Sequence, residues 1–241
     1  MGGSLGASPT MWDPQVAAFG ARLRTIRFDH RGHGRSPVPP DPYAIADLGG
    51  DVLALMDRLG LERASYCGLS LGGMVGMWLA AHAPERIDRL VLLCTAAHLP
   101  PPEGWRRRAR AVRSAGTVAA VADAVLPRWV TPAFAAARPE RVAALRAMLV
   151  GTPPAGYAAC CEAIATLDLR AALPRIAAPT LVIAGREDLA TPPAHAEAIA
   201  AAVRGARLEL LSPMAHLGNV EQPDAVSALI LDHLDPAREA A

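Results

Sequence analysis

Gly68-Leu69-Ser70-Leu71-Gly72 sets a serine hydroxyl between two glycines. A short apolar run, residues 64–67, precedes it, and residues 74–81, rich in helix formers, follow it. Strand, sharp turn and helix are the context in which such a serine stands exposed at a sheet edge as a nucleophile. The glycines let backbone crowd at the turn, where a side chain would clash. A serine hydroxyl is a weak nucleophile at its ordinary pKa. It needs an adjacent base, and the base needs an orienting group. In parallel sheets with this turn the chain order is serine, acid, histidine. Asp188, in Gly185-Arg186-Glu187-Asp188, directly follows the apolar run 180–184. His216, in Pro213-Met214-Ala215-His216, comes just after the run 207–211. Three groups at three strand ends predict acyl transfer, with Ser70 as nucleophile, His216 as base and Asp188 as orienter.

Each group also has a plainer role open to it. The pentapeptide can be a simple strand-to-helix turn. Asp188 can cap the helix that starts near Pro192, and Glu187 is a rival acid beside it. His216 is one of seven histidines and can be a surface residue. His30, His33, His82, His98, His195 and His233 lack a strand-end position late in the chain. His30 and His33 are expected to shape their own loop. Acyl transfer further requires N–H donors for a tetrahedral oxyanion. Leu71, next after the nucleophile, supplies one. Gly2-Gly3-Ser4-Leu5-Gly6 leads into an expected helix over 12–19, which makes Leu5 the second donor. The plainer alternative there is a loosely held Gly-rich terminus.

The elements that must hold these groups alternate along the chain. Residues 25–28, Thr-Ile-Arg-Phe, predict a short strand, followed by the Gly-punctuated loop 29–36 and a Pro-rich linker over 37–42. Apolar residues at Ile45, Leu48, Val52, Leu55, Met56 and Leu59 have helical spacing, and Gly60 suits the helix end. Strand 64–67, helix 74–82 and strand 90–94 follow. Between 99 and 173 the pattern turns helical, with several prolines and no convincing strand. Alternation resumes with strand 180–184, helix 193–203, strand 207–211 and helix 223–234. Strands alternating with helices argue for an α/β fold with a mostly parallel sheet flanked by helices. The expected organisation is a core of 1–98 and 174–241, with a helical cap inserted over 99–173.

Composition narrows the function classes. The 241 residues are 52% hydrophobic and 20% charged, enough for one substantial core. A net charge of +1 creates no global field for nucleic acid or membrane. No apolar stretch reaches membrane-spanning length and no signal peptide opens the sequence, so a cytoplasmic location is expected. Cys67, Cys94, Cys160 and Cys161 show no metal spacing and are expected to be reduced and buried. Every basic residue in the Lys+Arg count is an arginine. With that bias, Arg106-Arg107-Arg108 is expected to be a solvated helix face.

These residues resemble the α/β-hydrolase superfamily and, more closely, its 3-oxoadipate enol-lactonases. Gly3-Ser4-Leu5-Gly6 with Met11-Trp12-Asp13-Pro14-Gln15 is similar to that family's oxyanion loop, and Gly68 to Met74 to its nucleophile turn. His216-Leu217 with Asn219-Val220-Glu221-Gln222-Pro223 is similar to its histidine loop. Asp29 to Ser36 is shared across the superfamily and says little about substrate. Two cap segments discriminate more: Arg128-Trp129-Val130-Thr131-Pro132-Ala133-Phe134, and Gly156-Tyr157 through Ile164. The resemblance implies hydrolysis of a small anionic lactone in aromatic catabolism, with no metal or organic cofactor. It implies Arg128 as a carboxylate fork and Trp129 as an apolar wall, against the plainer role of a surface arginine and a core tryptophan. A fusion or neighbour of the carboxymuconolactone decarboxylase type is a further implied partner. In the superfamily the first three strands precede the oxyanion loop, whereas here Met1 stands directly before it. An upstream start, a fragment or direct pairing of 25–28 with 64–67 are the expectations this raises. A general carboxylesterase, a haloperoxidase-like hydrolase and a non-catalytic binding relative remain as alternatives.

Overall fold

The computed structural model describes residues 1–40 and 42–234. The expected core segment 174–241 is therefore described to Leu234, and Asp41 of the Pro-rich linker also lies outside the described residues. Helix α1 spans Asp13–Phe19 and α2 spans Ile45–Arg58. Strand β1 (Ala64–Leu69), helix α3 (Leu71–His82) and strand β2 (Ile87–Leu93) follow. Five helices come next: α4 (Pro102–Ala115), α5 (Ala119–Trp129), α6 (Pro132–Ala137), α7 (Pro139–Val150) and α8 (Pro154–Ala165). The described residues end with β3 (Thr180–Gly185), α9 (Pro193–Ala202), β4 (Arg207–Leu211), α10 (Gly218–Glu221) and α11 (Pro223–Leu234).

The four strands form one parallel sheet in the order β1-β2-β3-β4. Cys67 pairs with Val91, Leu92 with Val182, and Ala184 with Leu210. Because the strands are parallel, their C-terminal ends share one edge, and the residues after β1, β3 and β4 are Ser70, Arg186 and Ser212. Strands β2 and β3 are apolar almost throughout because helices cover both faces, as parallel sheets require. Helix α3 is buried along nearly its whole length, with Leu71, Met74, Val75, Met77 and Leu79 against the sheet. All four cysteines are free and buried. No helix among the described residues is long and apolar enough to cross a membrane.

Residues 25–28 form no strand, contrary to the local pattern. The segment is without regular structure, and the Met1 amino group donates to the Ile26 carbonyl at 2.6 Å. Nor does it pair with β1. A strand exists only where a neighbour completes its ladder, and β-favouring side chains alone do not supply one. The adjoining edge of β1 is met instead by Gly2, which bridges Gly68 in parallel: Gly2 N–H donates to Cys67 O at 2.9 Å and Leu69 N–H to Gly2 O at 3.1 Å.

The five helices between β2 and β3 sit over the C-terminal edge of the sheet. Their base is tied to the core where Leu169 N–H donates to Ala97 O at 2.8 Å. Within this layer α4 packs on α8 and on α5. Helix α6 starts sharply, because Thr131 caps it by accepting from Phe134 N–H while Pro132 supplies the first helical residue.

Candidate active site

Ser70 sits between β1 and α3 with φ 56° and ψ −113°, a backbone conformation that non-glycine residues rarely adopt. The turn that holds it there is crowded. A Cβ at Gly68 would lie 2.2 Å from Gly72 O, and one at Gly72 would lie 2.3 Å from Gly2 O. The two glycines of the pentapeptide are therefore required by close packing. Leu71, the first residue of α3, presents one of the N–H groups that a helix start leaves without an intrahelical acceptor. The positive end of the α3 dipole points the same way.

The loop 2–6 is pinned, so the loosely held terminus is ruled out for these residues. Gly3 O accepts from Gly72 N–H at 2.9 Å and contacts His30 Nε2 at 3.2 Å. Gly6 N–H donates to His33 Nε2 at 2.9 Å. Ser4 and Leu5 are thereby held at the cavity that Ser70 and His216 also line. Both histidines are buried, and burial is the main force lowering their pKa; His30 falls to about 3. Neutral His33 can accept from Gly6, which is how the 29–36 loop fixes the loop opposite Ser70.

His216 and Asp188 meet after β4 and β3. His216 Nδ1 lies 2.9 Å from Asp188 Oδ2, with both side chains buried. A carboxylate partner makes Nδ1 the donor and leaves Nε2 as the basic nitrogen. Thr191 Oγ1 donates to the same Oδ2 at 2.8 Å, while Asp188 Oδ1 accepts from Ala190 N–H at 2.7 Å and Thr191 N–H at 2.9 Å. Asp188 thus organises its own turn and holds the histidine, two roles that its sequence position presents as alternatives. Burial alone would raise the Asp188 carboxyl. The His216 charge and the hydrogen bonds from His216 and Thr191 outweigh burial and hold it below its ordinary value. Glu187, the rival acid, points elsewhere and accepts from Ser212 Oγ at 2.7 Å and Met214 N–H at 2.8 Å.

A cavity of about 290 Å³ opens over these groups. Its floor is Ser4, Leu5, Ser70, Thr191 and His216, and its roof comes from α4, α5 and α8. Trp129 lines it and is buried, and its carbonyl accepts from Leu217 N–H at 2.7 Å. Arg128 lines it too, but Nε and Nη2 both donate to Leu189 O, Nε at 3.2 Å, so part of the guanidinium ties α5 to the acid loop. The arginine run keeps the expected solvated face at Arg106 and Arg107, which are exposed, while Arg108 is half-buried. Arg107 and Arg108 line the cavity, whereas Arg106 does not.

His30 and His33 hold the 2–6 loop as well as shaping their own, whereas no role for Thr191 or Glu221 is legible in the sequence alone. Glu221 joins roof to floor: one carboxylate oxygen accepts from Thr131 N–H at 3.0 Å and from Thr131 Oγ1, and the other accepts from Ala215 N–H at 2.8 Å. Among the described residues no three His, Cys, Asp or Glu side chains gather in a metal-binding arrangement. Chemically, the assembled groups can offer a hydroxyl, a carboxylate-oriented imidazole and backbone donors to an acyl carbonyl.

The fold has counterparts among known proteins. Residues 3–115 match the model of the alpha/beta hydrolase fold family. A 3-oxoadipate enol-lactonase of Acinetobacter baylyi is 42% identical over 222 residues, covering 92% of this chain and 82% of that protein. A Stutzerimonas stutzeri protein named as a candidate carbamate hydrolase is 32% identical, covering 95% of this chain and 88% of its own. The crystal structure of the enol-lactonase from Burkholderia xenovorans superposes with a TM-score of 0.94 at 46% identity, covering 97% of this chain and 89% of that one.

Proposed function

Since the chain belongs to the α/β-hydrolase family, we propose that it hydrolyses 3-oxoadipate enol-lactone to 3-oxoadipate through an acyl-enzyme on Ser70. Ser70 Oγ attacks the lactone carbonyl as His216 Nε2 takes its proton, and Asp188 stabilises the imidazolium. The N–H groups of Leu5 and Leu71 hold the oxyanion. Collapse breaks the ring C–O bond and expels the enol oxygen, which His216 protonates. Water, deprotonated by the same nitrogen, then attacks the acyl carbon and releases Ser70. The freed enol tautomerises to the ketone. An enolate is a better leaving group than an alkoxide, so acid assistance matters less here than in an ordinary ester.

The observation that carries this reading is the carboxylate-bound His216 facing the same cavity as Ser70. The substrate class is supported by the likeness to enol-lactonases in both sequence and fold. A second reading, carbamate hydrolysis, is favoured by the 32% identity to the candidate carbamate hydrolase. The same groups can attack a carbamate carbonyl. Side-by-side kcat/KM values for the enol-lactone, a neutral aryl ester and a carbamate separate the two. The lactone is expected to lead by at least about tenfold; a carbamate preference would reverse the assignment. Covalent labelling by a fluorophosphonate is expected at Ser70, and an inert binding protein would not react.

A further inference from the structure

The charges around the cavity point to more than a hydrolytic centre. Arg107, Arg108 and Arg128 all line it, and among the described residues no Asp or Glu does. Elsewhere on α4, Arg110 pairs with Glu103 and Arg113 with Glu162. Arg107 and Arg108 form no ion pair with a carboxylate among the described residues. Arg108 is half-buried, with its guanidinium carbon 4.6 Å from the centre of the Trp105 ring. Stacking on an aromatic face holds the plane of the guanidinium and leaves its N–H edges to a ligand. Arg108 also lies at the hydroxyl of buried Tyr157. Burial pushes that phenol up, and Arg108 opposes the shift. Arg128 is lowered first by burial and next by the Arg108 charge, so the two cations lie within each other's field. Arg108 and Arg128, each half-buried, hold like charges near one another in the roof, and that makes a place for a ligand anion.

We propose that Arg108, supported by Arg107 and by the field of Arg128, is an anion subsite that selects acyl substrates bearing a second, remote carboxylate. The inference rests on the lactonase reading for the identity of the reacting carbonyl, but not for binding itself. The guanidinium edge would grip the carboxylate in a planar, two-point contact. Trp105 and Tyr157 would hold the fork at a fixed place above Ser70. Arg128, with Nε and Nη2 committed to Leu189 O, contributes charge more than contact.

Binding and turnover test this separately. Adipate, a dicarboxylate that cannot react, is titrated calorimetrically into Ser70→Ala and into the double variant Ser70→Ala/Arg108→Gln. Adipate is expected to bind the first and to bind the second at least about tenfold more weakly, the scale of one charged hydrogen-bonded contact. In the otherwise unaltered enzyme, Arg108→Gln is expected to lower the ratio of kcat/KM for the acidic lactone to that for a neutral aryl ester at least about tenfold, mainly through KM. Arg108→Lys should recover part of that ratio, because charge returns without the fork. Equal adipate affinity with and without Arg108, or equal losses on acidic and neutral substrates, would overturn the subsite. Arg108-dependent adipate binding in a protein that does not open the lactone would uphold the subsite and overturn the lactonase reading.

Discussion

Ser70 stands at φ 56° in a turn where only glycine is comfortable. Strain of this kind costs of order 1–3 kcal/mol and persists where surrounding packing imposes it. Ser70→Ala keeps the strain, while Ser70→Gly relieves it. The glycine variant should therefore be more stable than the alanine variant by about 1 kcal/mol, after allowing for the greater freedom of unfolded glycine. Thermal unfolding of the two checks this, and identical melting temperatures would remove strain from the account. If Asp188 orients His216 as proposed, Asp188→Asn should cut kcat by about three orders of magnitude or more, because the wrong imidazole tautomer is then favoured. Glu187→Gln, altering a carboxylate bonded to Ser212 and Met214, should cost less than about tenfold. Steady-state kinetics on both variants decide which acid orients His216.

At the scale of elements, the site depends on contacts that join the roof helices to the loops below. Glu221 reaches Thr131 at the start of α6 and Ala215 beside His216. In Glu221→Gln an amide would set a donor against an N–H. The expected cost is about 1–3 kcal/mol of stability, with kcat falling more than KM rises. Urea unfolding with parallel kinetics measures both, and wild-type values for both would show that this clasp is dispensable. Such contacts explain what the sequence reveals and what it hides. Ser70, Asp188 and His216 are legible because a turn pattern and two strand ends are local features. Glu221 with Thr131, or His33 with Gly6, are pairs of residues far apart in the chain, and nothing beside either partner signals the other. Arg106 and Arg107 are exposed, as the mostly polar helix suggests, whereas Arg108 is half-buried at the cavity, which depends on the packing of α4 on α8 and not on any local pattern. Residues 25–28 mislead for the opposite reason: their side chains favour a strand, but a strand needs a paired neighbour.

For the molecule as a whole, buried neutral histidines link folding to pH. His30 is held near a pKa of about 3, against an ordinary value of 6.5, by burial first and by the His33 charge next. His33 is also lowered by burial, opposed by its bond to the Arg31 carbonyl and by the charge of Asp29. The groups facing His30 are His33, the Gly3 carbonyl and the Met1 amino group. Below about pH 6.5 the unfolded chain binds protons that the folded one refuses, so stability falls as pH drops toward about 3. One such histidine gives a slope of up to about 1.4 kcal/mol per pH unit. His30→Gln cannot titrate, and its urea-derived stability between about pH 7 and pH 5 should decline less steeply than that of the unaltered protein. Parallel slopes would mean that His30 does not carry the linkage.

We propose that Ser70, activated by His216 and Asp188, opens an acidic enol-lactone. This is tested most directly by kcat/KM for 3-oxoadipate enol-lactone, measured for the unaltered enzyme and for Ser70→Ala under identical conditions. Rapid hydrolysis is expected of the first, and a loss of at least about a thousandfold in the second. Near wild-type hydrolysis by Ser70→Ala would contradict it.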